Sequence, residues 1–114
     1  MIHNMNLRPV PFRMIAAGKK IYELRLNDEK RSQIAVGDKI VFTNTQDGTQ
    51  LTVEVKNLHR FASFAELYQS LPLTQCGYEP EELADASPDD MNIYYPPEKQ
   101  KKYGVLAIEI RTLA

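Results

Sequence analysis

The sequence predicts an α+β domain, a small mixed barrel or curled sheet flanked by short helices. Three observations lead there. Gln46-Asp47-Gly48-Thr49 is a strong hairpin signal between two segments of alternating apolar and polar residues. Helical spacing is confined to short stretches interrupted by seven prolines, so the helices cannot all be crossovers between parallel strands. The last stretch, Gly104 to Ile110, is almost wholly apolar and reads as a central strand. A chain of 114 residues has room for one core, and residues 1–114 are expected to form a single domain.

In chain order, Ile2 to Leu7 reads as a short strand, and Arg8-Pro9 opens a helix in which proline occupies the first turn. Val10, Met14 and Ile15 are expected to form its buried stripe, with Phe12 and Ala17 at the margins. Gly18 stands where a left-handed glycine ends a helix, and a strand from Lys20 to Arg25 follows. Leu26 to Ala35 is charged, with a short helical turn near Lys30 to Ile34, and Val36-Gly37-Asp38 turns into a strand from Lys39 to Thr43. Asp47-Gly48 suits a type I′ turn, after which Gln50 to Leu58 pairs back with Leu51, Val53 and Val55 on one face. Phe64, Leu67, Tyr68 and Leu71 recur at helical spacing behind a Ser63 cap, with Glu66 as its capping-box partner, and Pro72 ends that helix. Pro80 to Ala86, Pro88 to Ile93 and Pro96 to Tyr103 each place proline at the head of a short helix.

Composition excludes several functions. A net charge of −1 gives no general attraction to polyanions or to an anionic membrane, so any nucleic-acid contact has to be local. Cys76 has no cysteine partner, His3 and His59 are isolated, and no metal or cofactor motif is present. No apolar run approaches the ~20 residues that span a bilayer, and the start lacks signal-peptide features; a soluble cytoplasmic protein is expected. The acidic run from Glu79 to Asp90 reads as a solubilising face.

The segment Gly18-Lys19-Lys20-Ile21-Tyr22-Glu23-Leu24-Arg25 carries the chemistry. On a strand, Tyr22 and Leu24 point one way and Glu23 and Arg25 the other, setting a carboxylate beside a guanidinium. Such a set is either an exposed ion-pair ladder, of small worth, or a recognition site. As a site, Arg25 can fork onto a phosphate or carboxylate, Lys20 supplies a point charge, and Glu23 accepts from an amino group or sugar hydroxyl. Of Tyr94-Tyr95 one ring should face outward as a stacking surface, and Tyr95 is the candidate; Arg60 is a candidate for the same rim. The basic pairs Lys19-Lys20 and Lys30-Arg31, with the lysines between Lys99 and Lys102, are candidates to follow a phosphate backbone.

Gly18, Lys20, Glu23 and Arg25 stand at the spacing Gly-x-Lys-x-x-Glu-x-Arg, followed by a strand-turn-strand ending in Gly37-Asp38. Together with Phe12 and Ile15, Arg60-Phe61-Ala62-Ser63-Phe64, Tyr94-Tyr95 and Tyr103-Gly104-Val105, this resembles the ASCH domain family along nearly the whole chain. The resemblance implies a PUA-like β-barrel with a polar cleft that binds RNA or a nucleotide-like ligand. It also implies an alternative, a small amidohydrolase acting on acetylated cytidine nucleosides, whose motif has a threonine where this chain has Glu23. A carboxylate cannot replace a threonine nucleophile directly, so in an enzyme Glu23 would act as base for water and Lys20 would polarise the carbonyl. A protein-interaction module is a further alternative, for which the sequence offers no exposed apolar stripe.

Overall fold

A computed structural model describes residues 1–113. Five strands form one sheet: β1 (Ile2–Leu7), β2 (Tyr22–Leu26), β3 (Lys39–Asn44), β4 (Gln50–Phe61) and β5 (Val105–Thr112), in the order β1-β3-β4-β5-β2. Three α-helices, α1 (Pro9–Ala16), α2 (Phe64–Ser70) and α3 (Pro97–Tyr103), and four 3₁₀ turns surround it. The pair β1–β3 is parallel and the others are antiparallel, so the sheet is mixed, with β1 and β2 as its two edges. It curls until the guanidinium of Arg25 on one edge reaches the Asn6 carbonyl on the other at 3.1 Å. The result is a half-barrel closed at one point by a side chain.

The final strand is interior, as its composition predicts, because both of its faces are covered. Leu106, Ile108 and Ile110 join Met5, Leu7, Ile15, Ile40, Phe42, Val53 and Val55 inside the curl, while Val105 and Ala107 meet Phe64 and Leu67 of α2 on the other side. A strand buried on both faces reads as a continuous apolar run. β4 runs beyond the expected Leu58 to Phe61 because a bulge at Lys56 absorbs one residue between Val55 and Asn57. The bulge shifts the inward parity, so Val55 before it and Leu58 after it both pack toward the inner cluster.

Other local expectations are corrected. Val10 is 56% exposed, and Met14 and Ile15 carry the buried stripe of α1. The hairpin is not a type I′ turn, since no non-glycine residue has positive φ and Asp47 therefore cannot supply one of the two positive angles. A longer loop forms instead, closed by Gly48 N–H to the Asn44 carbonyl and by Asp47 accepting from Thr49. Ser63 caps α2 as expected, accepting from the Glu66 N–H at 3.2 Å, but among the described residues the Glu66 side chain makes no return bond, so that capping box is only half formed. Full capping boxes form at Glu79–Glu82 and Ser87–Asp90, within the acidic run.

Gly104, which feeds α3 into β5, has φ 72° and ψ −174°, a region only glycine occupies comfortably, and a Cβ there would lie 3.0 Å from the Phe61 carbonyl oxygen. Gly48 also has positive φ, but a Cβ on it would meet nothing. Gly104→Ala should therefore cost ~1–3 kcal/mol from backbone strain plus the crowding. Gly48→Ala should lose less, and urea unfolding of the two variants will separate them; equal losses would contradict this account.

Candidate ligand-binding cleft

The motif begins where α1 ends. Gly18, at φ 78°, lets its own N–H reach the Ile15 carbonyl and the Lys19 N–H reach that of Met14, a Schellman-type ending that satisfies two orphan carbonyls. Lys20 also donates from its backbone to Met14, and Ile21 to the Gln75 carbonyl. The chain is thus irregular at Lys20–Ile21, and β2 starts at Tyr22 rather than Lys20. Strict alternation would put Lys20 and Glu23 on opposite faces. The irregular corner instead brings the Lys20 ammonium to Glu23 Oε1 at 3.1 Å.

Glu23 and Arg25 sit opposite Ile108 and Leu106, so their side chains point into the curl of the half-barrel. Arg25 holds Glu23 Oε2 with Nε at 2.8 Å and Nη2 at 2.7 Å. Lys20 also donates to the Cys76 carbonyl at 3.2 Å. Lys20 is 7% exposed and Glu23 4%, which makes this a buried ion cluster rather than a surface ladder. Burial opposes ionisation of Glu23, but Lys20 and Arg25 outweigh it and hold the carboxyl below its usual range. Burial likewise works against the Arg25 charge, and Glu23 overcomes it and raises the guanidinium pKa.

The cluster forms part of the lining of a cleft of about 960 Å³, which lies along the seam between the two edge strands. Asn6 of β1 and Glu23, Leu24 and Arg25 of β2 face it, and Arg8, Tyr94 and Tyr95 lie around it. Glu82, Asp89 and Asp90 also line it, so the acidic run borders the cleft and is more than a solubilising face. There the Tyr68 hydroxyl meets that of Tyr78, which donates to Asp90, both at 2.7 Å. Burial, followed by these two partners, pushes the Tyr78 phenol well above its usual range. Burial pushes the Cys76 thiol up to about 11, against the pull of Lys20, so it is not a poised nucleophile at neutral pH.

Lys20, Glu23, Arg25 and Tyr95 come together in this cleft; Arg60, exposed on β4, does not line it. The tyrosine assignment is reversed. Tyr95 packs inward, stacked on Phe64 with ring centroids 6.1 Å apart, while Tyr94 is 50% exposed with the Arg8 guanidinium 4.8 Å from its ring centroid. Lys20 is spent on the buried cluster and joins no surface track of basic residues, whereas Lys19 is exposed. The sequence reading missed Arg8 and Asn6, because each meets its partner only through the curl of the sheet and the return of the chain. It also missed an apolar lip, in which Val10 and Ile93, 80% exposed, accompany Tyr94. Among the described residues no group of His, Cys, Asp and Glu is placed to hold a metal ion, and no helix is long and apolar enough to cross a membrane.

Removing Glu23 leaves two buried cations uncompensated, so Glu23→Ala should cost about 3–5 kcal/mol. Because the folded-state pKa is lowered, the contribution of Glu23 is fully present above its ordinary unfolded value of 4.5 and is lost as pH falls through the folded value. Urea unfolding of the wild type and Glu23→Gln between acid and neutral pH should show the stability gap between them closing below about pH 4. A gap that stays constant would contradict the ion cluster.

The family description "ASCH domain" matches residues 5–114. Among solved structures, the chain is similar to the crystal structure of a hypothetical protein, PH0355, with 36% identity and a TM-score of 0.82, covering 99% of this chain and 100% of that one. It is also similar to the solution structure of protein PF0455 from Pyrococcus furiosus, with 37% identity and a TM-score of 0.75, over 99% of this chain and 98% of that one. A mutant of the ASCH protein of Zymomonas mobilis shares the fold at 14% identity and a TM-score of 0.67, over 96% of this chain and 68% of that one. No curated protein matches. With the family description spanning nearly all of its length and the buried Lys20–Glu23–Arg25 cluster in the motif positions, the chain belongs to the ASCH domain family.

Proposed function

We propose that the chain is a binding module that holds RNA or a nucleotide-like ligand in the seam cleft. The observation that carries this reading is the buried Lys20–Glu23–Arg25 cluster at the cleft, beside the exposed Arg8–Tyr94 pair. A buried ion cluster is a poor way to gain stability, since an apolar set of equal volume does as well or better. Its use is to hold charged donors rigidly. Among the described residues nothing accepts from Arg25 Nη1, which leaves this nitrogen able to bond an anionic oxygen. Tyr94, backed by Arg8, offers a ring face on which a base can stack. The family resemblance points to the same class of ligand.

The electrostatics favour recognition over hydrolysis. A general base works best with a pKa near the working pH, and Glu23 is held in the opposite direction by two cations. The carboxylates of Glu82, Asp89 and Asp90 along the cleft oppose a long phosphate backbone, so the ligand is a short single-stranded stretch or a single nucleotide.

Arg8 and Tyr94 are both exposed, so their removal leaves the core intact. Tyr94→Ala should weaken binding of a labelled single-stranded RNA or a nucleotide by roughly 5-fold or more, as expected for the loss of one stacked base, and Arg8→Ala should weaken it too. Both variants should melt within a few degrees of wild type. The salt dependence should be shallow, with a log–log slope of roughly −0.7 for each contacted phosphate and only one or two contacts. Unchanged affinity in both variants would remove the cleft from the account.

A further inference from the structure

The hydrogen-bond parity of the two edge strands leaves backbone donors facing the seam. On β1, Lys39 N–H bonds the Met1 carbonyl and Thr45 N–H bonds the Leu7 carbonyl, so the odd-numbered residues turn their backbone groups toward β3. The N–H and C=O of Asn6 therefore point off the free edge. On β2, Ile110 N–H bonds the Ile21 carbonyl and Asn27 N–H bonds the Gly104 carbonyl, so odd-numbered residues again face the neighbour, β5, and the groups of Leu24 point off the edge. Both residues line the cleft. Their carbonyls are met, that of Asn6 by Arg25 at 3.1 Å and that of Leu24 by the Tyr95 hydroxyl at 3.5 Å. Neither N–H has a place in the β1–β3 or β2–β5 ladder, and among the described residues no loop carbonyl or side chain accepts from either. Leu24 is only 6% exposed, and an unpaired backbone donor on so buried a residue is rare unless something outside the protein bonds it.

We propose that the Asn6 and Leu24 N–H groups, together with Arg25 Nη1, form a seat for a single phosphate group at the point where the half-barrel fails to close. The proposal rests on the reading of the cleft as a nucleotide site and specifies how that site takes the anion. Two fixed backbone dipoles and one guanidinium supply donors from both edges of the seam to one tetrahedral oxyanion. Arg25 is held for this task by Glu23, and Lys20 leaves the cluster with a net charge of +1. Further phosphates in a chain would gain nothing comparable, because Glu82, Asp89 and Asp90 line the same cleft. The seat accordingly selects a nucleoside monophosphate or one phosphodiester over a polyphosphate.

The donors can be tested directly. In amide NMR spectra of the intact chain, titration with inorganic phosphate should move the Asn6 and Leu24 amide protons downfield and slow their exchange with solvent. Asn6→Pro removes that N–H without breaking the β1–β3 ladder, since an edge strand tolerates proline where its N–H faces outward. It should weaken phosphate and nucleoside monophosphate binding roughly tenfold or more, whereas Asn6→Ala, which loses the side chain but keeps the N–H, should weaken it far less. A nucleoside triphosphate should bind no tighter than the monophosphate. If RNA binds while both amides stay still and Asn6→Pro binds normally, the seat is wrong and the nucleotide reading survives. If phosphate moves both amides but no RNA or nucleotide binds better than phosphate itself, the seat stands and the nucleotide reading falls. A wild-type spectrum unmoved by phosphate or nucleotide overturns both, and it decides the matter even if Asn6→Pro does not fold.

Discussion

The Glu23 carboxylate, buried between Lys20 and Arg25, is the interaction on which the geometry of the seam depends. An isolated carboxylate could not remain ionised there, and two cations alone would repel each other. Together they form a set that tolerates burial. Each of the two cations then reaches a backbone carbonyl elsewhere. Lys20 ties the loop at Cys76, and Arg25 ties the opposite edge of the sheet at Asn6. One carboxylate thereby fixes the distance between two edge strands and the position of the loop above them.

An open sheet with two free edges invites pairing with other chains, and natural folds cover or blunt such edges. Here the edges curl toward each other, and the arginine spans the gap that a sixth strand would otherwise fill. The apolar core does not need that strand. Its inner cluster is enclosed by β1, β3, β4, β5 and α1, and its outer cluster by β2, β5, α2 and the turns that follow α2. Most of the apolar core therefore lies away from the seam, whose exposed rings can change at little cost to it, whereas the buried Glu23 there cannot. The proline-led turns between residues 72 and 96 then fold back and deliver Tyr78, Asp90, Tyr94 and Tyr95 to the cleft.

The two adjacent tyrosines show how packing divides the labour. Tyr95 stacks on Phe64 and joins the outer cluster, where burial raises its pKa and keeps the phenol neutral. Tyr94, one residue earlier at the end of a 3₁₀ turn, is directed outward against Arg8. Adjacency guarantees that the two rings diverge, but which of them is buried depends on where Phe64 stands, and Phe64 lies about thirty residues away along the chain.

Local pattern alone determined the existence and type of most elements, the Gly18 helix ending, the interior place of β5 and the shared face of Glu23 and Arg25. Each of these follows from interactions within a few residues, namely strand alternation, glycine at positive φ and proline at a helix start. Tertiary structure decided the rest. Lys20 reaches Glu23 because a corner bonded to Met14 and Gln75 breaks the alternation, and Val10 is exposed because the cleft, not the core, lies beneath its side of α1. Arg60 stays outside the cleft, while Asn6 and Arg8 enter it, because the curl of the sheet brings β1 beside β2 across nearly twenty residues of sequence. Such meetings depend on long-range closure of the sheet, which no window of neighbouring residues encodes.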